Sequence, residues 1–140
     1  MNYVLDASVG IKWFLPENLS HNAYVLLEKE KGFEIPDLFL IEIDSILTKR
    51  VRKGNLNVIR AAEIANTVRD LSFITTNYQA INSIAFRIAT AYYISLYDAI
   101  YVALAVIKDK KMITADKKLV RAVENTPLEV FVVYLGNIKE

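Results

Sequence analysis

Short apolar segments alternate with longer helical segments along the whole chain, and this alternation limits the folds open to it. The apolar segments at residues 3–5, 33–35, 112–114 and 130–133 are too short for helices, so we predict strands there, the last at a sheet edge. Strands separated by helices are typical of a parallel sheet with helices on both faces. We therefore predict an α/β fold, a three-layer α/β/α sandwich with a central parallel sheet, in one domain spanning residues 1–140.

Polar residues in front of helical spacing predict where helices begin. Ser8, Ser20 and Asp37 are placed to cap three helices. Pro16 would end the first of these, and the others stop near Gly32 and Gly54. The longer predicted helices cover residues 20–31, 37–53, 57–70, 77–93 and 97–109, and a short helix starts at Asp116.

Two scarce residue types exclude several kinds of chemistry. The chain contains no cysteine, which removes disulfides, thiolate catalysis and zinc–thiolate sites. It has one histidine, His21, so pairs of histidines and His-rich metal sites are absent, and a Ser-His-Asp triad is disfavoured. Any catalytic site must therefore rely on carboxylates, hydroxyls, amides or cations.

One segment is long enough to cross a bilayer. Residues 88–107 form a 20-residue stretch with a single charge, Asp98. An aspartate near the middle of a span costs about 2.5–3.5 kcal/mol, so we predict two buried helices that meet near Ser95 instead. The first residues also lack the basic start and long apolar run of a signal peptide, and we expect a cytoplasmic protein without a membrane segment.

Four acidic residues stand where ligands of an α/β protein gather. Asp6 and Asp116 directly follow predicted strands, while Glu42 and Asp98 interrupt apolar helices. Burying unpaired acids is costly, and a divalent cation offsets the cost. Oxygen ligands without histidine or cysteine favour Mg²⁺ or Mn²⁺, which activate water in phosphodiester hydrolysis. Simpler roles stay open, since Asp116 is also placed to cap a helix, Asp98 to face a helix dipole and Glu42 to be solvated.

Helical geometry separates the acids of the helix predicted at 37–53. At about 100° per residue, Asp44 lies about 160° around the axis from Glu42, so the two cannot share a site. Ser45 lies about 60° from Glu42 and is placed to support it.

Four motifs in order make the sequence resemble a PIN domain, and specifically the small ribonuclease toxins of VapBC-type toxin–antitoxin pairs. The motifs are VLDAS at 4–8 continuing to KWF at 12–14, PDL at 36–38 leading to Glu42, YDAIYVALA at 97–105, and TAD at 114–116. One position departs from the pattern, because many members carry Asn three residues after the glutamate and this chain has Ser45.

The resemblance implies a metal-dependent endoribonuclease. It implies RNA cleavage with Mg²⁺ or Mn²⁺, leaving 5′-phosphate and 3′-hydroxyl ends, and a homodimer inhibited by an antitoxin whose tail blocks the acidic pocket. By motif match, the catalytic residues and metal ligands are Asp6, Glu42, Asp98 and Asp116, supported by Ser8, Ser45 and Thr114. A PIN nuclease of RNA processing and a catalytically silent RNA- or protein-binding module remain alternatives. An aspartate-nucleophile phosphatase is disfavoured, because its usual Asp-x-Asp would need Asp at position 8.

The charge distribution is compatible with an RNA substrate. The net charge is +1, but setting aside the four site acids leaves 17 basic against 12 acidic residues, an excess of five. The candidates for RNA contact are Lys12, Lys117, Lys118 and Arg121. A second basic cluster at residues 49–53 is open to phosphate contact but fits a solvated helix end better, and the tyrosines at 92, 93, 97 and 101 fit core and interface packing better than base stacking.

Overall fold

Five short parallel strands form the central sheet of the computed structural model, which describes residues 2–140. Their order across the sheet is β3-β2-β1-β4-β5, and every neighbouring pair is parallel. The strands are β1 Tyr3–Leu5, β2 Glu34–Pro36, β3 Ile74–Thr76, β4 Lys111–Thr114 and β5 Val132–Tyr134. Strand β1 therefore lies in the middle, and its carboxyl end opens next to that of β4.

Helices flank this sheet and confirm the predicted α/β sandwich. Within residues 2–140 the α-helices are α1 Ala7–Gly10, α2 Ser20–Lys29, α3 Leu38–Arg52, α4 Val58–Arg69, α5 Asn82–Tyr92, α6 Leu96–Lys108 and α7 Lys117–Ala122. Short 3₁₀ turns cover Ile11–Trp13, Tyr78–Ala80, Glu129–Phe131 and Leu135–Asn137. Most predicted helix ends agree within two residues, but the helix predicted at 77–93 is a 3₁₀ turn followed by α5.

Helix α6 is the central helix of the fold. It packs against β1, β2 and β4, and its residues 99–105 are buried without interruption. The chain breaks between α5 and α6 and bends there by 119°, as predicted near Ser95. No single helix among residues 2–140 has the length and apolarity to cross a membrane, and only this bent pair meets the criteria by length and composition.

Strand β3 was not predicted from the sequence. It lies at the sheet edge beside β2, in register with Ile74 opposite Glu34, and its residues are mostly exposed. An edge strand with one exposed face carries little apolar signal, although its run of Ile and two Thr is typical of strands. Strand β5, predicted at the edge, occupies the other edge but starts two residues later than expected.

Two of the three predicted helix caps were wrong, and the third is confirmed in position only. Ser8 lies inside α1, where Asp6 is the capping position. Ser20 is the first residue of α2, preceded by Leu19 in the left-handed region, and its hydroxyl accepts from the backbone N–H of Glu17 instead. Asp37 holds the N-cap position of α3, but its carboxylate accepts from the backbone N–H of Tyr78 at 3.3 Å and makes no capping hydrogen bond. Each of these side chains hydrogen bonds to a loop group rather than to the first turn of a helix. Only the tertiary structure decides between these two kinds of partner.

Candidate active site

The four predicted acids line one pocket. Asp6, Glu42, Asp98 and Asp116 come from four separate segments: the end of β1, helix α3, the first turn of α6 and the residue after β4. The pocket has a volume of about 240 Å³ and lies at the carboxyl ends of β1 and β4. Parallel strands end at the same sheet edge, and this explains why residues more than 100 positions apart meet here.

Asp6 is the innermost of these carboxylates. Its backbone N–H continues the sheet by donating to the carbonyl of Ile113, and the residue is 8% exposed. Two hydroxyls donate to the same carboxylate oxygen, Oδ2: Thr114 Oγ1 at 2.7 Å and Ser8 Oγ at 2.9 Å. Because these donors fix the side chain, Asp6 holds a defined position in the pocket wall.

The same two hydroxyls connect Asp6 to the segment after β4. Thr114 Oγ1 accepts from the backbone N–H of Asp116 at 3.1 Å, and Ser8 Oγ accepts from that of Ala115 at 3.1 Å. Each hydroxyl therefore both donates and accepts, which leaves no buried hydroxyl unpaired. Ser8 and Thr114 therefore contact the predicted ligand Asp6 directly. They also hold the backbone segment that carries the predicted ligand Asp116.

Glu42 has a partner that sequence reasoning missed. Tyr101 on α6 donates its hydroxyl to Glu42 Oε1 at 2.6 Å, and that tyrosine is only 1% exposed. The Tyr101 oxygen also hydrogen bonds the backbone of Ala7. The available signal was its spacing, since Tyr101 follows Asp98 by three residues and so shares its helix face. The predicted packing of Tyr101 is confirmed by its burial, and the hydrogen bond to Glu42 adds a polar role.

Asp98 and Asp116 each stand at a helix start. Ser95 caps α6 by accepting from the backbone N–H of Asp98 at 3.0 Å. Asp116 Oδ1 accepts from the backbone N–H of Lys118 at 2.9 Å and caps α7. The capping role considered for Asp116 is therefore real, and it coexists with a place in the pocket wall.

Helix α3 presents its residues as the helical geometry predicted. Ser45 lines the acidic pocket with Glu42, whereas Asp44 lines a separate groove on α3. Lys49 also lines the acidic pocket. It follows Glu42 by seven residues and so shares the same helix face. This spacing was the signal that could have distinguished Lys49 from the solvated basic residues next to it.

The predicted RNA contacts differ in accessibility. Lys117, Lys118 and Arg121 are exposed and line a cleft of about 440 Å³ that includes Asp116. Lys12 lines the same cleft but is buried, and its ammonium donates to Glu17 Oε1 at 3.0 Å.

The tyrosines expected to pack are divided between core and surface. Tyr101 is buried, but Tyr93 is 94% exposed and Tyr97 is 60% exposed. The expected core and interface packing is therefore confirmed in the core for Tyr101 and stays a prediction at an interface for Tyr93 and Tyr97. Both flank the break between α5 and α6, where the bend turns their side chains away from the core.

The model of the PIN domain family matches residues 3–125. The chain belongs to the PIN domain family. It is 29% identical over 124 residues to the curated Ribonuclease VapC3 of Pyrobaculum aerophilum, covering 85% of this chain and 92% of that protein.

Solved structures show the same PIN fold. The Pyrobaculum aerophilum protein PAE2754 has a TM-score of 0.71 at 19% identity, over 97% of this chain and 85% of that one. A toxin-antitoxin complex from Klebsiella pneumoniae gives 0.62 at 19% identity, over 95% and 97%. VapBC2 from Rickettsia felis, bound to a promoter DNA fragment, gives 0.65 at 15% identity, over 96% and 98%.

Burial is the main cause of the raised pKa values in the pocket of this PIN domain, and repulsion between its carboxylates adds to it. Burial raises the pKa of Asp6, and the charge of Asp116 raises it further against the hydrogen bonds from Thr114 and Ser8. Burial likewise raises the pKa of Glu42, opposed by the Tyr101 hydrogen bond. Burial, with the charges of Asp6 and Asp116, raises the pKa of Asp98 to about 6. A divalent cation would relieve this repulsion.

The donor atoms suit a hard cation, although they are not preassembled. All four candidate ligands offer carboxylate oxygens, which Mg²⁺ and Mn²⁺ prefer. Among residues 2–140, no three histidine or acidic side chains are already close enough to hold an ion. Glu42 Oε2 has no hydrogen-bond partner in the described chain, so it is available as a ligand. The residues therefore fit such an ion by chemistry.

Proposed function

We propose that this PIN domain is an Mg²⁺- or Mn²⁺-dependent endoribonuclease that acts as the toxin of a VapBC-type toxin–antitoxin pair. One observation carries the proposal: four carboxylates from distant segments line a single pocket at the carboxyl ends of β1 and β4. The raised pKa values of Asp6, Glu42 and Asp98 fit a site built for positive charge rather than for stability of the fold.

In this proposal Asp6, Glu42, Asp98 and Asp116 are the catalytic metal ligands. A bound divalent ion would supply activation of water and neutralisation of charge on the phosphate. Ser8 and Thr114 orient Asp6 through Oδ2, and Ser45 lies in the same wall. No histidine lines the pocket, so it holds no strong base for neutral pH; a divalent ion held by the carboxylates would supply the lowered pKa of the attacking water.

RNA as substrate is supported by the Pyrobaculum relative, which is named a ribonuclease. The basic side chains Lys117, Lys118 and Arg121 beside Asp116 are suited to phosphate contacts, and Lys12 lies behind them in the same cleft. A VapB-like antitoxin as partner is supported by the structural neighbours, one described as a toxin-antitoxin complex and another as VapBC2. A cytoplasmic location is part of this proposal, because its RNA substrate is found there.

We also propose that residues 1–140 act as one PIN domain and assemble as a homodimer. Large apolar side chains remain exposed on α5 and at the start of α6, including Phe86 at 64% and Tyr93 at 94%. Exposed apolar patches of this kind commonly mark protein interfaces. The molar mass in solution, measured by light scattering, tests the dimer.

The experiment that tests the nuclease is cleavage of a mixed RNA pool with Mg²⁺, Mn²⁺ or EDTA. The variant Asp6→Asn removes a proposed ligand, and Asp44→Asn is its matched control because Asp44 lines a different groove. We expect discrete cuts that need metal, disappear in Asp6→Asn and persist in Asp44→Asn. Cutting that survives in EDTA or in Asp6→Asn contradicts the proposal. RNA binding without metal-dependent cutting indicates the silent binding module instead.

A further inference from the structure

A basic cleft adjoins the acidic pocket. The cleft has a volume of about 500 Å³ and runs between α1 and the last turns of α3. It shares Ser8, Ile46, Lys49 and Asp116 with the acidic pocket. A chain lying in the cleft would therefore lie next to the four carboxylates.

Four basic side chains line the basic cleft, and two of them are lysines without an ion-pair partner in the described part of the chain. The other two, Lys12 and Arg50, share the single carboxylate of Glu17. Lys49 and Lys53 have no ion-pair partner within residues 2–140, and both are exposed. Lys49 lies in the last turn of α3 and Lys53 directly follows the helix, about one turn or 6 Å further along its axis. The helix dipole explains why cations suit this helix end, but it does not explain their place in a cleft that leads to the carboxylates.

We propose that the basic cleft binds the sugar-phosphate backbone of single-stranded RNA on one side of the cleavage site, with Lys49 and Lys53 contacting successive phosphates. This inference rests on the proposed function for its substrate. Lysine ammonium groups act as point charges on phosphates. The residues that line the cleft include no aromatic side chain on which a base could stack. The cleft therefore binds RNA without regard to sequence.

The test is fluorescence anisotropy of a labelled, mixed-sequence RNA 12-mer, in EDTA so that the RNA stays intact. Lys49→Gln/Lys53→Gln is compared with wild type and with Lys31→Gln/Lys139→Gln. The control pair loses the same charge from exposed lysines that line neither the cleft nor the pocket. Because each phosphate contact on a single strand contributes about 0.7 to the salt slope, we expect the slope to fall by about 1.4 in the cleft variant. Its affinity at 0.1 M salt falls roughly tenfold, equally for oligo-uridine and mixed RNA.

Several results overturn the inference. They are wild-type affinity in the cleft variant, an equal loss in the control pair, or no binding of the 12-mer by wild type. Loss confined to Lys117→Gln/Lys118→Gln also overturns it, because the RNA would then follow the other cleft at Asp116.

Cleavage in Mg²⁺ separates this inference from the nuclease proposal. If RNA cleavage is metal-dependent but the cleft variant keeps the wild-type Kd and KM, the cleft inference is wrong and the nuclease proposal stands. If the cleft variant binds RNA more weakly but wild type does not cleave RNA, the nuclease proposal is wrong and the cleft inference is supported. If both are correct, the cleft variant raises KM at least as much as it raises Kd, and the control pair cleaves like wild type.

Discussion

Replacing Asp98 by Asn is expected to stabilise the metal-free protein at neutral pH while abolishing its proposed activity. The Asp98 carboxylate is half-buried and lies near Asp6 and Asp116, and these effects together raise its pKa to about 6. The charged form is therefore disfavoured in the folded state. Asparagine keeps the shape of the side chain and removes the charge.

The size of the effect follows from the pKa of Asp98, which rises from 3.8 to about 6. Each pKa unit corresponds to about 1.36 kcal/mol, so the full shift is worth about 3 kcal/mol. Solvent screening of a half-buried group reduces this, and we expect a gain of roughly 1.5 kcal/mol in the free energy of unfolding. For a chain of this length that gain raises Tm by about 5 °C.

The pH dependence has a definite sign. The folded protein keeps the Asp98 proton up to its raised pKa of about 6, whereas the unfolded chain loses it near the ordinary aspartate pKa of 3.8. Between these values the folded state binds more protons, so wild-type stability falls as pH rises. The advantage of Asp98→Asn is therefore absent near pH 3.8 and complete above pH 6.

Urea unfolding followed by circular dichroism, at pH 4 and pH 7.5 in EDTA, measures this difference. Asp44→Asn is the matched control and is expected to change stability by less than about 0.5 kcal/mol. Adding Mg²⁺ is expected to stabilise wild type more than Asp98→Asn, because only wild type keeps the full ligand set. Equal or lower stability of Asp98→Asn at pH 7.5, or the same gain at both pH values, would refute the reasoning.

Three further substitutions test the surroundings of the pocket. Tyr101→Phe removes the hydroxyl that holds Glu42, and we expect Mn²⁺ affinity to fall about 10–100-fold in a binding titration while the circular dichroism spectrum is unchanged. Thr114→Val removes one of the two hydroxyl donors to Asp6 and leaves the backbone N–H of Asp116 without its acceptor, and urea unfolding is expected to show a loss of about 1–3 kcal/mol with lower cleavage activity. Gly10→Ala places a Cβ 2.8 Å from Phe39 Cζ, and we expect a loss of about 1–3 kcal/mol in the same unfolding assay, with cleavage of the folded fraction retained. An unchanged Mn²⁺ affinity in Tyr101→Phe would contradict the role of its hydroxyl. An unchanged free energy of unfolding in Thr114→Val or Gly10→Ala would contradict the contacts that these two substitutions alter.

The features predictable from sequence are those that follow from strand and helix periodicity. The parallel sheet and the meeting of Asp6 with Asp116 follow from short apolar segments that each end in an acid. The opposite faces of Glu42 and Asp44 follow from 100° per residue. These inferences need only local spacing and the rule that parallel strands end at one edge.

The remaining features depend on contacts between distant segments. Tyr101 was assigned to packing because its partner, Glu42, is 59 residues away. Glu34 shows the converse, since it too is an acid between apolar residues, yet it begins β2 and pairs with Lys108 and Lys110 away from the pocket. An acid in apolar surroundings therefore identifies a site only when it lies at the correct end of the sheet.

The most direct test of the account is a titration of the metal-free protein with Mn²⁺, with free Mn²⁺ measured by electron paramagnetic resonance. The account predicts saturable binding by wild type and Asp44→Asn, and loss of that binding in Asp6→Asn. Equal Mn²⁺ binding by wild type and Asp6→Asn, or no binding by wild type, would contradict the assignment of the four carboxylates as a metal site.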